Sequence, residues 1–173
     1  MIDLIFWSGL LIVAWVYIFY WVYSIYKGAP YYPSSRKFRD GLVEAVNENG
    51  NTLRIAELGA GDGRVAFALA KEGHRVDAFE INPFLTLIMR MRNLFAANKI
   101  NIIRDDFLHH DFGEYDVFIT YLYPAVMQKI AHKISAQAKP GATVFSNTFS
   151  FYDRKPDRKL LNGRLLVYSN VTV

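Results

Sequence analysis

Three glycines alternate with other residues in Glu57-Leu58-Gly59-Ala60-Gly61-Asp62-Gly63-Arg64, between an apolar run, Leu53 to Leu58, and a helix-like one, Val65 to Glu72. Lacking a Cβ, glycine takes positive φ and lets a ligand approach main-chain N–H groups closely at the start of a helix. In the dinucleotide-binding fingerprint the third glycine falls three positions after the second; here it falls two after, and an acid, Glu57, stands at the end of the preceding strand. That offset selects against a diphosphate, which Glu57 and Asp62 would repel, and for a ligand with a cationic, amino-acid-like end. An ordinary glycine-rich strand-to-helix turn is the alternative reading.

A second acid lies where such a ligand would extend. Arg75 to Glu80 alternates like a strand and ends on Glu80. In nucleotide-binding α/β units, an acid at the tip of the second strand, about 20 residues beyond the turn, accepts hydrogen bonds from ribose hydroxyls. The plainer reading is a solvated strand end. A third acidic site, Asp105 and Asp106, follows a short strand at Asn101 to Arg104. One of these could accept from an adenine amine while Phe107 packs on the ring; a charged loop is the alternative. His109 and His110 are adjacent and so point apart, which argues for loop residues rather than metal ligands. With no cysteine in the chain, neither a disulfide framework nor a thiolate zinc site is available. No metal site is expected.

The elements that must hold these groups follow from local signals. A helix capped by Ser34 or Ser35 should run to Asn49, with Phe38, Leu42, Val43 and Val46 inward and Gly50 as its stop. Asn82 and Pro83 supply a cap and a first-turn proline for a helix to about Asn98. Tyr115 to Pro124 reads as a buried strand with a polar tip, and Pro124 opens a helix with Val126, Ile130 and Ile134 inward. Pro140 and Gly141 end that helix before the strand in ATVFSNTFSF, and Asn162-Gly163 between two apolar arms signals a hairpin. Strands alternating with helices, then a hairpin, define an α/β fold: a Rossmann-like, doubly wound, mostly parallel sheet with a terminal antiparallel hairpin.

At the front, Leu4 to Tyr26 carries no charge. As a helix, about 23 residues would extend roughly 34 Å, enough to cross a bilayer's hydrocarbon core. Trp21, Tyr23 and Tyr26 gather at its far end, and Lys27, Arg36, Lys37 and Arg39 follow, which predicts an uncleaved single-pass transmembrane helix with the remainder facing the cytoplasm. The expected organisation is 1–27 transmembrane helix, 28–50 linker and leading helix, and 51–173 ligand-binding domain. A formal charge of +4 suits an anionic membrane surface as well as nucleic acid, but no basic run, RNP-like motif or zinc finger is present, so nucleic-acid binding is not expected.

With these pieces placed, the chain resembles the membrane-anchored branch of the class I, seven-strand S-adenosylmethionine (SAM) dependent methyltransferases. That branch includes the lysine methyltransferases acting on the ATP synthase c subunit and their shorter prokaryotic relatives. The resemblance runs from about Pro30 to Tyr168. It rests on PYYPSSRK (30–37), ELGAGDGR (57–64), FEINPFL (79–85), RDDF (104–107), YLYP (121–124), and SNTFSF followed by KPDR (155–158). It implies that Glu57, Gly59, Ala60, Gly61 and Gly63 bind the methionine part of SAM, Glu80 and Ile81 the ribose, and Asp106 with Phe107 the adenine. It also implies a flap over the cofactor from Tyr32 and Ser34, and a methyl-transfer channel shaped by Tyr121, Tyr123 and Pro124. The short FYDRKPDR link stands where the family usually has a helix before the hairpin, which leaves a minimal rim on the substrate side.

Methyl transfer from a sulfonium requires alignment and exclusion of water more than acid or base groups. A channel walled by Tyr121, Tyr123 and Phe149 would desolvate a lysine amine and lower its pKa, so no dedicated base is expected. The expected partners are the bilayer and a membrane protein bearing a lysine. A small lipophilic acceptor such as a quinone or lipid, and a non-catalytic membrane-tethered adaptor, are the alternatives. Oligomeric state is not legible.

Overall fold

The computed structural model describes residues 2–26, 32–48, 50–151 and 154–171. The chain divides into two units, Met1–Tyr32 and Pro33–Val173. The first contains one helix, α1 (Ile2–Tyr26), whose only charged residue is Asp3. Among the described residues no helix is long and apolar enough to cross a membrane. The span expected at 4–26 falls in part on side chains outside the described ones, as does most of the GAPYY segment after it.

The second unit is a seven-stranded sheet in the order β3-β2-β1-β4-β5-β7-β6. Its elements in chain order are α2 (Arg36–Asn47), β1 (Arg54–Leu58), α3 (Arg64–Lys71), β2 (Arg75–Phe79), α4 (Pro83–Phe95) and β3 (Asn101–Ile103). After a short 3-10 turn (Phe107–His109) come β4 (Val117–Thr120), α5 (Pro124–Gln137), β5 (Thr143–Asn147), β6 (Arg158–Leu160) and β7 (Leu165–Tyr168). Strands β1 to β5 pair in parallel, and β7 runs antiparallel between β5 and β6. The expected hairpin is present, with Leu161, Asn162 and Gly163 all at positive φ in its loop.

Each face of the sheet is covered, as a parallel sheet requires. Leu42, Val46, Leu69 and Met89 from α2, α3 and α4 pack on one face over Ile55, Val76 and Ile119. Met127, Ile130 and Ile134 of α5, with Phe112 and Tyr115, cover the other over Leu58, Phe79 and Phe118. The helix α2 is locked to the hairpin: Arg158 donates two hydrogen bonds of 2.7 Å to Glu48, and a Cβ on Gly41 would lie 2.5 Å from Leu161 Cδ2.

Several boundaries differ from expectation. The cap of α2 is Ser35, whose Oγ accepts from Phe38 N–H at 3.3 Å, and the helix stops at Asn47. Helix α4 ends at Phe95 because Asn93 bonds both main-chain groups of Ile100, at 3.0 Å each, turning the chain back. The strand within 115–124 is only Val117–Thr120; Tyr121 to Tyr123 lie beyond it as loop. In α5 the inward residues are Met127, Ile130 and Ile134, with Val126 only partly buried.

Candidate cofactor site

The parallel register brings the C-terminal ends of β1, β2 and β4 side by side, because Leu58 pairs with both Phe79 and Thr120. Open α/β sheets bind ligands at this edge. The chain leaving β1 turns through Gly59, Gly61 and Gly63, at φ of 80°, 61° and 78°. Phe79 C=O accepts from both Gly59 N–H (2.9 Å) and Ala60 N–H (2.8 Å), which holds the turn onto β2. Close packing leaves no room for side chains. A Cβ on Gly63 would lie 2.8 Å from Met89 Cγ, and one on Gly59 would lie 3.0 Å from Leu122 Cδ2.

The two acids meet across this turn. Glu80 Oε2 accepts from Gly61 N–H at 2.9 Å and Oε1 from Asn82 N–H at 2.7 Å, so one carboxylate bridges the glycine turn and the start of α4. Glu57 is only 7% exposed. Burial is the main cause that pushes its pKa up to about 8, with Asp62 and Glu80 adding repulsion and a backbone N–H from Ala66 opposing it. Burial likewise raises Glu80 above the ordinary carboxylate value.

Asp62 is different, and its role was not legible in the sequence. Although buried, it receives Arg64 through Nε (2.9 Å) and Nη2 (2.8 Å) and Arg92 through Nη1 (2.8 Å); Arg92 also reaches the Asp62 carbonyl at 2.7 Å. Burial opposes ionisation, but hydrogen bonds and charge from the two arginines prevail and hold its pKa down at about 2. Asp62 is therefore an internal clamp joining the turn to α3 and α4, not a free rim charge.

The remaining residues fall into three places. Asp106 caps the 3-10 turn after β3, its Oδ1 accepting from Leu108 N–H at 2.9 Å, and Phe107 packs on the α5-side core. Since Glu80 N–H donates to Ile103 C=O at 3.0 Å, the ends of β2 and β3 adjoin. Beyond β4, Tyr121 and Tyr123 lie against Phe149, ring centroids 6.2 and 5.9 Å apart, and Pro124 begins α5. Ile81 is exposed. Ser34 contributes its carbonyl to Arg64 at 3.2 Å. Tyr32 is exposed and belongs to the first unit. His110 bonds Asp105 at 3.2 Å, and no cluster able to hold a metal occurs among the described residues.

Three buried polar atoms have no protein partner among the described residues: Glu57 Oε2, Thr120 Oγ1 and Asn147 Nδ2. They sit at the C-terminal ends of β1, β4 and β5, neighbours in the sheet, with Glu57 and Asn147 on the face covered by α2, α3 and α4 and Thr120 on the face covered by α5. Of the three, Glu57 is the one beside the left-handed glycines, where its free oxygen can hydrogen-bond a polar ligand group. The sequence signals the other two weakly, since Thr120 and Asn147 read only as strand residues.

A seven-stranded sheet with its last strand pair antiparallel and this glycine-acid edge is the fold of the SAM-dependent methyltransferases. Residues 57–158 match the ANTKMT methyltransferase domain, and the chain belongs to that family. It is 27% identical over 136 residues to the lysine N-methyltransferase of Mus musculus named for the ATP synthase c subunit, and the match spans 78% of this chain and 54% of that protein. It is 26% identical over 123 residues to the adenine nucleotide translocase lysine N-methyltransferase of Mus musculus, covering 69% and 53%. Among solved structures, an RNA methyltransferase from Salinibacter ruber in complex with S-adenosyl-L-homocysteine superposes with TM-score 0.73 at 27% identity, covering 80% of this chain and 94% of that one. The chain spans about half the length of these curated relatives.

Proposed function

We propose that the protein transfers a methyl group from SAM to a lysine amine of a membrane-associated protein. The observation that carries the cofactor half is the bridge from Glu80 to Gly61 N–H beside the buried, half-satisfied Glu57. In this reading Gly59, Ala60, Gly61 and Gly63, with Glu57, hold the methionine portion. Glu80 and Ile81 hold the ribose, and Asp106 with Phe107 the adenine. Ser34 stands in the flap over them.

SAM supplies an electrophilic methyl on a good leaving group. The chain's part is to align and to exclude water. Glu80 keeps acceptor capacity beyond its backbone bonds to Gly61, Asn82 and Ile81, so it can accept from a ribose hydroxyl. The ring cluster of Tyr121, Tyr123 and Phe149 lies beyond the strand next to the glycine turn, and an amine entering it loses hydration. Desolvation lowers the amine's pKa, so the neutral nucleophile forms without a dedicated base.

The lysine acceptor is supported by the names of the two mouse relatives. Membrane attachment is supported by the uncharged run from Leu4 to Tyr26, by the helicity of α1 and by exposed Phe6, Trp7, Leu11 and Trp15 along it. Anchoring raises the local concentration of any bilayer-resident acceptor. The cationic flank after the span supports a cytoplasmic catalytic domain.

The test incubates membranes lacking the chain with the purified full chain and SAM labelled on its methyl group. Label in protein, retained as methyl-lysine after acid hydrolysis, is the expected result. Label in the organic extract would mean a lipophilic acceptor instead. Label in RNA would align the chain with the Salinibacter enzyme, and no transfer despite SAM binding would favour a tethered adaptor.

A further inference from the structure

The helix α4 has an outer face that the cofactor site does not use. Phe84, Leu87, Met91, Leu94 and Phe95 are all more than half exposed, rising to 68% at Leu94 and 86% at Phe95. At about 100° per residue these five lie within about 120° of one another around the helix. On the same wheel Arg90 and Arg92 flank that stripe, one on each edge, while Leu85, Thr86 and Met89 face inward. The helix contains no acidic residue. Such an arrangement, an apolar stripe edged by long cationic side chains, is that of a helix lying in a membrane interface.

A groove of about 1100 Å³ opens beside it, between α2, α3 and α4, and shares Phe95 with the stripe. Its cationic lining is Arg36, Arg39, Arg64, Lys71 and Arg92. Of the three acids there, Asp40 is paired with Arg39 at 2.6 Å, Asp62 is clamped by Arg64 and Arg92, and Glu72 also lines the groove, so its five cations exceed its acids by two. Apolar insertion and anion attraction thus meet on one side of the domain.

We propose that the stripe of α4 and the basic groove beside it form a membrane-contact surface that seats on an anionic phospholipid bilayer, with the apolar side chains entering the acyl boundary and the groove facing headgroup phosphates. A second copy of the chain is a poorer occupant, because a two-fold contact through this stripe would bring the flanking Arg90 of each copy toward its equivalent. Such seating is separate from methyl transfer and requires neither activity nor SAM binding.

The chain holds no cysteine, so one introduced thiol is a unique labelling site. Met91→Cys and Leu94→Cys place an environment-sensitive fluorophore on the stripe; Lys129→Cys, on the exposed side of α5 across the sheet, is the control. Each full-length variant is reconstituted at one chain per nanodisc, in phosphatidylcholine alone or with phosphatidylglycerol, and quenching by spin-labelled lipid is read. Both stripe positions should be quenched well above position 129, with occupancy about fivefold higher in anionic discs for each basic group engaged, an excess that high salt removes. Quenching at 91 and 94 no greater than at 129, or equal in the two lipids, would overturn the proposal. So would burial of the labels only in discs holding two chains. Circular-dichroism melting of each variant at the unlabelled protein's temperature secures the comparison.

Discussion

Burial holds the Glu57 carboxyl above the usual carboxylate range, and this has a measurable sign. Its folded pKa of about 8 exceeds the ordinary 4.5 because burial opposes the charged form. Its contribution is therefore fully present below the ordinary value and is lost as pH rises through that window. Glu80, raised for the same reason, acts in the same direction. His74, lowered by burial, acts oppositely, its stabilisation present only above the ordinary imidazole value. Comparing wild type with Glu57→Gln cancels both. Between about pH 4.5 and about pH 8 the wild type's melting temperature should fall relative to the variant's, and parallel curves would show that Glu57 is not held protonated. Gly63 offers a second test at this scale. Alanine there must adopt φ near 78° and meet Met89 at 2.8 Å, so Gly63→Ala should cost about 1–3 kcal/mol in urea unfolding.

At the scale of elements, local chemistry was legible and its limits were not. Ser35, Asn82 and Pro83 announce helix starts because a cap acts within one turn, and all three stand there. Helix ends depend on distant partners. Helix α4 stops where Asn93 ties to Ile100 and where Lys99 Nζ reaches the Leu94 carbonyl at 3.0 Å, contacts that periodicity does not encode. The same limit hid the Asp62 clamp: Arg92 is 30 residues away in sequence and meets it only because α4 packs beside the turn. That clamp predicts an acid response. A depressed carboxylate stabilises above its ordinary pKa of 3.8 and loses that contribution as pH falls toward about 2. Arg92→Met removes one of its two cations, so the acid-unfolding midpoint followed by circular dichroism should move to higher pH. An unchanged midpoint would mean that Arg64 alone suffices.

For the molecule as a whole, the mostly parallel sheet with its antiparallel end follows from alternating strand and helix signals, the strand order does not, and the glycine turn, Glu80 and the Tyr121 loop lie at one edge of the sheet. What sequence could not supply was the set of unpaired groups at the ends of β4 and β5, since burial of Thr120 and Asn147 is a product of packing. Nor could it foresee that Asp62 would be neutralised from within, leaving Glu57 and Glu80 as the acids at that edge. The proposed cofactor recognition therefore rests on these two acids at the ends of β1 and β2. The most direct measurement of it is calorimetric titration of the full-length protein with SAM, repeated on Glu80→Ala. Saturable one-to-one binding is predicted, weakened about ten- to a hundredfold in the variant, the range for loss of a charge-assisted hydrogen bond. Absence of binding by the folded wild type, or unaltered affinity in Glu80→Ala, would contradict it.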